Sequence, residues 1–316
     1  MHIGPLALDS LTMCEAVHRI CSIASSPRRQ ARIVVTANAQ FAQIASTDRR
    51  FYKLLHDAEV VVADGMSVVA ASRILGHPLP QRIAGIDLVI ELCREAARSG
   101  LSVYLLGGRP CAAKKAADNL NLTCPGLRVA GVDCPPLGFS KDPAESAAVV
   151  RRISSVAPDI LLVAFGAPKQ EFWMEEHAAK LPVKVMIGVG CSFDVLAGFI
   201  RRAPRWMQKV GLEWVFRTIH EPRRLWKRYL LGNVQFVQAV IWQYLTGRDT
   251  AYKRGIRTRR ISVDSINFPK LAVGLIMHFL GNVHIAAAEP ARRDTRRTTR
   301  NSQVTQNHRY QLGSGL

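Results

Sequence analysis

The sequence predicts an α/β fold, a parallel sheet with helices on both faces, followed by a basic helical appendage near the C-terminal end. Three observations predict it. Six short runs between about residues 30 and 200 are almost continuously apolar, amphipathic stretches separate them, and nearly every run ends in Gly, Asn or Asp. Strands covered on both faces read as unbroken apolar runs, and strands alternating with helices indicate parallel pairing.

In chain order, the first 30 residues predict a small strand and a helix packed on the sheet's edge. RIVVTAN (32–38), EVVVADG (59–65), VYLLGG (103–108), LRVAGV (127–132), DILLVAFG (159–166) and KVMIGVG (184–190) predict the six strands. Asp87 to Ser99 and Pro110 to Leu120 are the clearest intervening helices. From 203 to 245 the character changes. Arg223, Arg224, Lys227 and Arg228 fall at helical spacing behind Pro222, with Leu225, Trp226, Tyr229 and Leu230 on the other side. Val234, Val237, Val240, Ile241 and Leu245 form a second apolar stripe, so this segment predicts amphipathic helices. The chain divides into a core (1–200), a basic helical appendage (201–247) and an Arg/Thr-rich tail (248–316) expected to be flexible.

With 316 residues, 48% hydrophobic and 21% charged, the chain has ample material for a buried core, which excludes wholesale disorder. The net charge of +19 is uneven. Residues 1–200 hold 21 basic and 18 acidic side chains, 201–260 hold 15 and 3, and 261–316 hold 7 and 3. A nearly neutral body thus precedes a cationic segment suited to phosphates, whether on a nucleotide, a nucleic acid or an anionic membrane. No signal peptide and no spanning helix is expected, since the best apolar run, Leu271 to Leu280, is too short. Seven cysteines without a CxxC pair predict reduced, mostly buried thiols in the cytoplasm.

Several chemistries are disfavoured by what is missing. The dinucleotide fingerprint GxGxxG, a Walker A lysine, a serine nucleophile elbow and a strand-end D-x-D for a metal do not occur. No metal ligand and no cofactor is expected. In an open parallel sheet, ligands bind beyond the carboxyl ends of the strands, where glycines admit the backbone and helix N-termini favour anions. Asp64, beside Gly65, stands at such an end, and position alone allows either a carboxylate in the crevice or an N-cap on the helix beginning near Met66. Thr36 and Asn38 end the neighbouring strand and suit a sugar hydroxyl or local capping equally. Gly107, Gly108, Gly166, Gly188 and Gly190 end three others. Lys169 and Gln170, in GAPKQE, suit a diphosphate at the rim or simple helix initiation. Asp194, in GVGCSFDVLAG, suits a ribose or base, or a satisfied place in a buried loop.

Eight blocks carry a more specific signal. VTANAQ, VVVADGMSVVAASRILGHPLPQRIAGIDL, VYLLGGRP, PGLRVAG, DILLVAFGAPKQEFW, KVMIGVGCSFDVLAG, RRAPRWMQKVGLEWVFR and EPRRLWKRYLLGN occur in one order over about residues 30–240. Together they resemble the WecG/TagA/CpsF family of bacterial glycosyltransferases. The resemblance implies a Rossmann-like core and an inverting, metal-independent transfer from a UDP-sugar to a polyprenyl-diphosphate-linked saccharide. It places Asp64 as general base and Thr36, Asn38 and Gln170 as polar pocket residues. Arg217 and Arg224 match arginines that close over the nucleotide diphosphate, and a third cation falls on Lys227 or, one residue on, Arg228. The chain departs from the family pattern at Ala37 and Ala63, where Pro is usual, and at Cys191, where Gly is frequent.

The resemblance further implies work at the inner face of the bacterial membrane, held peripherally by the basic appendage. Donors across the family include N-acetylmannosamine, its uronic acid, glucose and glucuronic acid, and polymers include exopolysaccharide; oligomeric state stays open. Two readings from other classes compete. A nucleic-acid binder would use Arg223 to Arg260 on phosphates and stack Trp206, Trp214, Trp226 and Tyr229 on bases, although their spacing predicts a packed helix face. A nucleotide-sugar sensor would bind UDP and tolerate loss of Asp64. The expectation is a protein without nucleic acid among its partners.

Overall fold

A computed structural model describes residues 1–247 apart from Arg28, Arg29 and Leu137, and within 223–234 it describes side chains only at Asn233. The predicted tail, 248–316, and the apolar run at 271–280 lie outside the described residues.

All six predicted strands form, as β3 (Arg32–Ala37), β4 (Val60–Ala63), β5 (Ser102–Gly107), β6 (Arg128–Asp133), β7 (Ile160–Ala164) and β8 (Val185–Gly188). They pair in parallel in the order β4-β3-β8-β7-β5-β6. In β3, β4, β5, β7 and β8 alternate side chains enter opposite cores, whereas the edge strand β6 leaves Val132 exposed. Val34, Val62, Leu105, Leu162 and Ile187 face one side, while Val35, Val61, Leu106, Val163 and Met186 face the other. That double burial is why the runs lack polar alternation.

The first segment differs from expectation. It holds a two-stranded antiparallel hairpin, β1 (His2–Ile3) and β2 (Leu6–Ala7), and α1 (Met13–Ser25). Thr12 caps α1 reciprocally with Glu15, the T-x-x-E capping box. Ala16, Ile20 and Ala24 of α1 lie fully buried in the core on one sheet face, so α1 covers a face rather than an edge. It shares that face with α5 (Gly85–Ser99), α6 (Ala112–Thr123) and α9 (Ser192–Leu196). The opposite face carries α2 (Ala39–Thr47), α3 (Arg49–Asp57), α4 (Met66–Ile74), α7 (Pro143–Val156) and α8 (Lys169–His177).

β5 and β8 therefore lead to helices on one face, β3 and β7 to helices on the other. Across the order β3-β8-β7-β5 their connections diverge at three successive junctions, between β3 and β8, between β8 and β7 and between β7 and β5. Diverging connections leave a crevice at the carboxyl edge.

The appendage comprises α10 (Arg205–Lys209), α11 (Glu213–His220) and α12 (Pro222–Thr246). The two apolar stripes read from the sequence belong to one continuous helix. Its buried face matches the predicted one in part: Val240 of the predicted stripe sinks into the core beside α2 together with Phe236, while Val237 and Leu245 of that stripe are exposed. Gln243 lies on the same buried face, accepting from Gly4 N at 2.8 Å and donating to His2 O at 3.1 Å. α12 is thus sealed to the hairpin and α2 by its distal half. Trp206 and Trp214, expected on a packed face, are exposed, and the side chains of Trp226 and Tyr229 lie outside the described residues. The seven thiols are free, but only Cys21, Cys93 and Cys124 are buried; Cys14 and Cys111 are exposed.

Phe236→Ala removes a fully packed ring from this seal and is expected to cost about 3–5 kcal/mol in urea denaturation. A loss below about 1 kcal/mol would mean that α12 does not close the core.

Candidate active site at the carboxyl edge of the sheet

The crevice floor is a set of hydrogen bonds between strand ends. Thr36 Oγ1, at the end of β3, donates to Gly188 O of β8 at 3.0 Å. Gln170, buried in the first turn of α8, accepts with one oxygen from Gly166 N at 3.0 Å and Gly190 N at 3.1 Å. Its amide donates to Glu171 Oε1 at 2.7 Å. The loops after β7 and β8 are therefore stapled by a single side chain. Gly188 is required by that staple, because a Cβ there would stand 2.5 Å from Gln170 Nε2. Asp194, in α9, accepts from Arg109 N at 2.9 Å and so ties the turn after β5 to the same floor. Gly107 in that turn has φ +105 and no room for a Cβ, which would meet the Phe165 ring at 2.8 Å.

Asn38 caps α2, accepting from Gln40 N at 3.0 Å. Asp64 does not cap the helix beginning at Met66: Gly65 occupies that cap position without a side-chain bond. The Asp64 carboxylate instead crosses to α5 and accepts from Gly85 N at 3.2 Å. Gly65 lies close against Asn38, where an added Cβ would be 3.3 Å from Asn38 Cβ.

Burial pushes the Asp64 carboxyl up from 3.8 to about 6. Arg82 opposes that rise, Glu213 adds to it, and the Gly85 amide and Arg217 oppose it further. Arg82 and Glu213 form an ion pair at 3.0 Å between the loop before α5 and the start of α11. Beside them Arg202 grips Asp87 with two bonds of 2.6 Å. Arg217, one turn further along α11, places Nη2 2.6 Å from Cys191 Sγ at the end of β8. Next to Arg217 opens a cleft of about 340 Å³ lined by Arg109, Arg201, His220, Glu221, Phe199 and Phe216. Arg109 closes its far side by pairing with Glu221 at 2.9 Å.

The structure thus brings Thr36, Asn38, Asp64, Gly65, Gln170, Gly166, Gly188, Gly190, Gly107, Gly108 and Asp194 to one edge of the sheet, with Arg217 above them. Lys169 begins α8 with its side chain exposed. Arg224, Lys227 and Arg228 occupy the first two turns of α12, and their side chains lie outside the described residues. Sequence reading missed Arg82, Arg109, Arg202 and Glu213. The available signal was compositional: Glu213 and Glu221 are two of only three acids among residues 201–260. Acids that rare in a cationic segment are there to meet arginines.

Arrangement and acidity together permit proton acceptance at Asp64 near neutral pH beside fixed positive charge. The raised pKa has a stability consequence. Below 3.8 Asp64 is protonated in both folded and unfolded chains; between 3.8 and about 6 only the folded chain keeps the proton. Its contribution to stability is therefore lost as pH rises through that window. Asp64→Asn, which keeps the acceptor for Gly85 N, is expected to stabilise the protein by up to about 3 kcal/mol at pH 7.5 and not at pH 3.5. Equal effects at both pH values in denaturant titrations would refute the burial cost.

A family model described as "Glycosyl transferase WecG/TagA/CpsF family" matches residues 1–250. Among similar proteins, an enzyme of Staphylococcus aureus is 34% identical over 235 residues, 74% of this chain and 88% of its own length. One of Bacillus spizizenii is 33% identical over 208 residues, 66% of this chain and 78% of its own. One of Bacillus subtilis is 33% identical over 198 residues, covering 63% and 75%. All three bear the name N-acetylglucosaminyldiphosphoundecaprenol N-acetyl-beta-D-mannosaminyltransferase. With most of its length matched and its site residues gathered at the sheet's carboxyl edge, the chain belongs to the WecG/TagA/CpsF family of glycosyltransferases.

Proposed function

We propose that this enzyme is an inverting, metal-independent hexosyltransferase acting in cell-surface polysaccharide synthesis. It moves an N-acetylmannosamine-type sugar from a UDP-sugar to a polyprenyl-diphosphate-linked saccharide. The sugar and the acceptor follow the names of the relatives. The observation that carries the reading is Asp64, held at the crevice by its bond from Gly85 N, with its pKa raised to about 6 between Arg82 and Arg217.

The acceptor hydroxyl oxygen attacks the anomeric carbon as the bond from that carbon to the donor's phosphate oxygen breaks. Its proton passes to Asp64, which is ionised at neutral pH yet more basic than an ordinary carboxylate; general bases of this kind supply about 10²–10⁴-fold. UDP leaves as an anion. Arg217 and Arg224 take its charge in place of a divalent ion. Gly107, Gly108, Gly166, Gly188 and Gly190 with the adjoining helix N-termini cradle the diphosphate, aided by Lys169 and by Lys227 or Arg228. Asp194 is assigned to the nucleoside. Thr36, Asn38 and Gln170 serve by fixing the floor, given the internal bonds that occupy them.

We also propose that the enzyme works peripherally on an anionic membrane. No helix among the described residues is long and apolar enough to cross one. α10, α11 and their connection expose Trp206, Leu212, Trp214 and Ile219 alongside Arg205 and Lys209, a pairing of apolar and cationic side chains suited to an interface.

Asp64→Asn should abolish UDP release from UDP-N-acetylmannosamine and a lipid-linked acceptor while UDP affinity by calorimetry stays nearly intact. Transfer at a near-wild-type rate would remove Asp64 from the mechanism. For the membrane, Trp206→Ser with Ile219→Ser should weaken sedimentation with vesicles containing phosphatidylglycerol by roughly tenfold. Unchanged sedimentation would place the contact elsewhere.

A further inference from the structure

The Arg82–Glu213 pair joins core to appendage, and the transfer described above assigns Glu213 no part. Both side chains are mostly buried, 13% and 26% exposed, and their contact is a direct 3.0 Å bond between Nη1 and Oε2. Glu213 stands in the first turn of α11, four residues before Arg217, so the two share one helix face. The charged groups facing Asp64 come from three elements: Arg82 from the loop before α5, Glu213 and Arg217 from α11, and Arg202 from the segment before α10, the last held by Asp87.

We propose that Glu213 is a positioning residue for the transfer: by pairing with Arg82 it docks α11 on the crevice, carries Arg217 to the carboxyl end of β8, and offsets the Arg82 charge beside Asp64. This inference deepens the transferase reading and rests on it for its catalytic meaning. Its electrostatic part stands alone. Arg82 by itself holds the Asp64 carboxylate ionised and weakly basic. Glu213 by itself repels it. The pair sets these two opposing effects against each other, beside burial, the Gly85 amide and Arg217. A purely structural contact would make both partners' removal act alike; the proposal makes them act oppositely.

The test is a carbon-13 NMR titration of aspartate carboxyls in the full-length protein, with the Asp64 signal assigned by its loss in Asp64→Asn. The wild type should titrate at about 6. Glu213→Gln should lower that midpoint and Arg82→Gln should raise it, each by about half a unit or more. Glu213→Asp should return it toward the wild-type value. Shifts of the same sign, or none, overturn the proposal. If either single variant does not fold, Arg82→Gln with Glu213→Gln removes both charges together and leaves none alone. That double variant should lose at least about tenfold in kcat with little change in the KM for donor, and an unchanged kcat would overturn the docking role. The titration uses no substrate. A wild type that titrates as stated but transfers no sugar would sink the transferase reading alone, whereas an active enzyme with unaltered titration would sink only this inference.

Discussion

An ionised carboxylate kept largely out of water is expensive, and at Asp64 the surrounding architecture opposes that expense without removing it. The strand end sets the carboxylate at the crevice, the first amide of α5 donates to it, and Arg82 and Arg217 approach from opposite parts of the chain. Glu213 then withdraws some of that support. The balance leaves a group that gives up its proton close to neutral pH, which is the range where a carboxylate can accept one from a hydroxyl during reaction. A more fully compensated aspartate would be more stable and less basic.

Such a balance needs a frame that does not shift. The staple through Gln170, the Thr36 bond across β3 and β8, and the grip of Asp194 on the turn after β5 lock four strand ends into one surface. The appendage is fastened separately, through Arg82–Glu213 and Arg109–Glu221 at either end of α11 and through the buried distal half of α12. The cleft of about 340 Å³ lined by Arg109, Arg201, Arg217 and Glu221 suits the proposed transfer, which has to bring a nucleotide sugar and a lipid-borne hydroxyl together.

The strands are legible because burial on both faces leaves no polar alternation to confuse them. The place of Asp64 at a strand end is legible too, but position alone does not separate a crevice carboxylate from the cap that Gly65 supplies. The hairpin was not readable: two strands of two residues each leave no periodicity. The buried face of α12 is only partly legible: Val240 of the predicted stripe is buried, but the face also includes Gln243, polar yet bonded to the hairpin backbone, while Leu245 and Val237 face out. The bonds that occupy Thr36 and Asn38 show how much a pocket-like residue can owe to its neighbours. Arg82–Glu213 spans 131 residues and Asp87–Arg202 spans 115, so neither pair leaves a local trace. Long-range ion pairs appear only when the sheet has brought their carriers together.

The central claim is that Asp64 is the proton acceptor in transfer from a nucleotide sugar. The most direct measurement is the pH dependence of kcat/KM for the wild-type enzyme with donor and lipid-linked acceptor. The expected profile rises with a single ionisation near pH 6 and then levels. A rate independent of pH from 4.5 to 8 would contradict it.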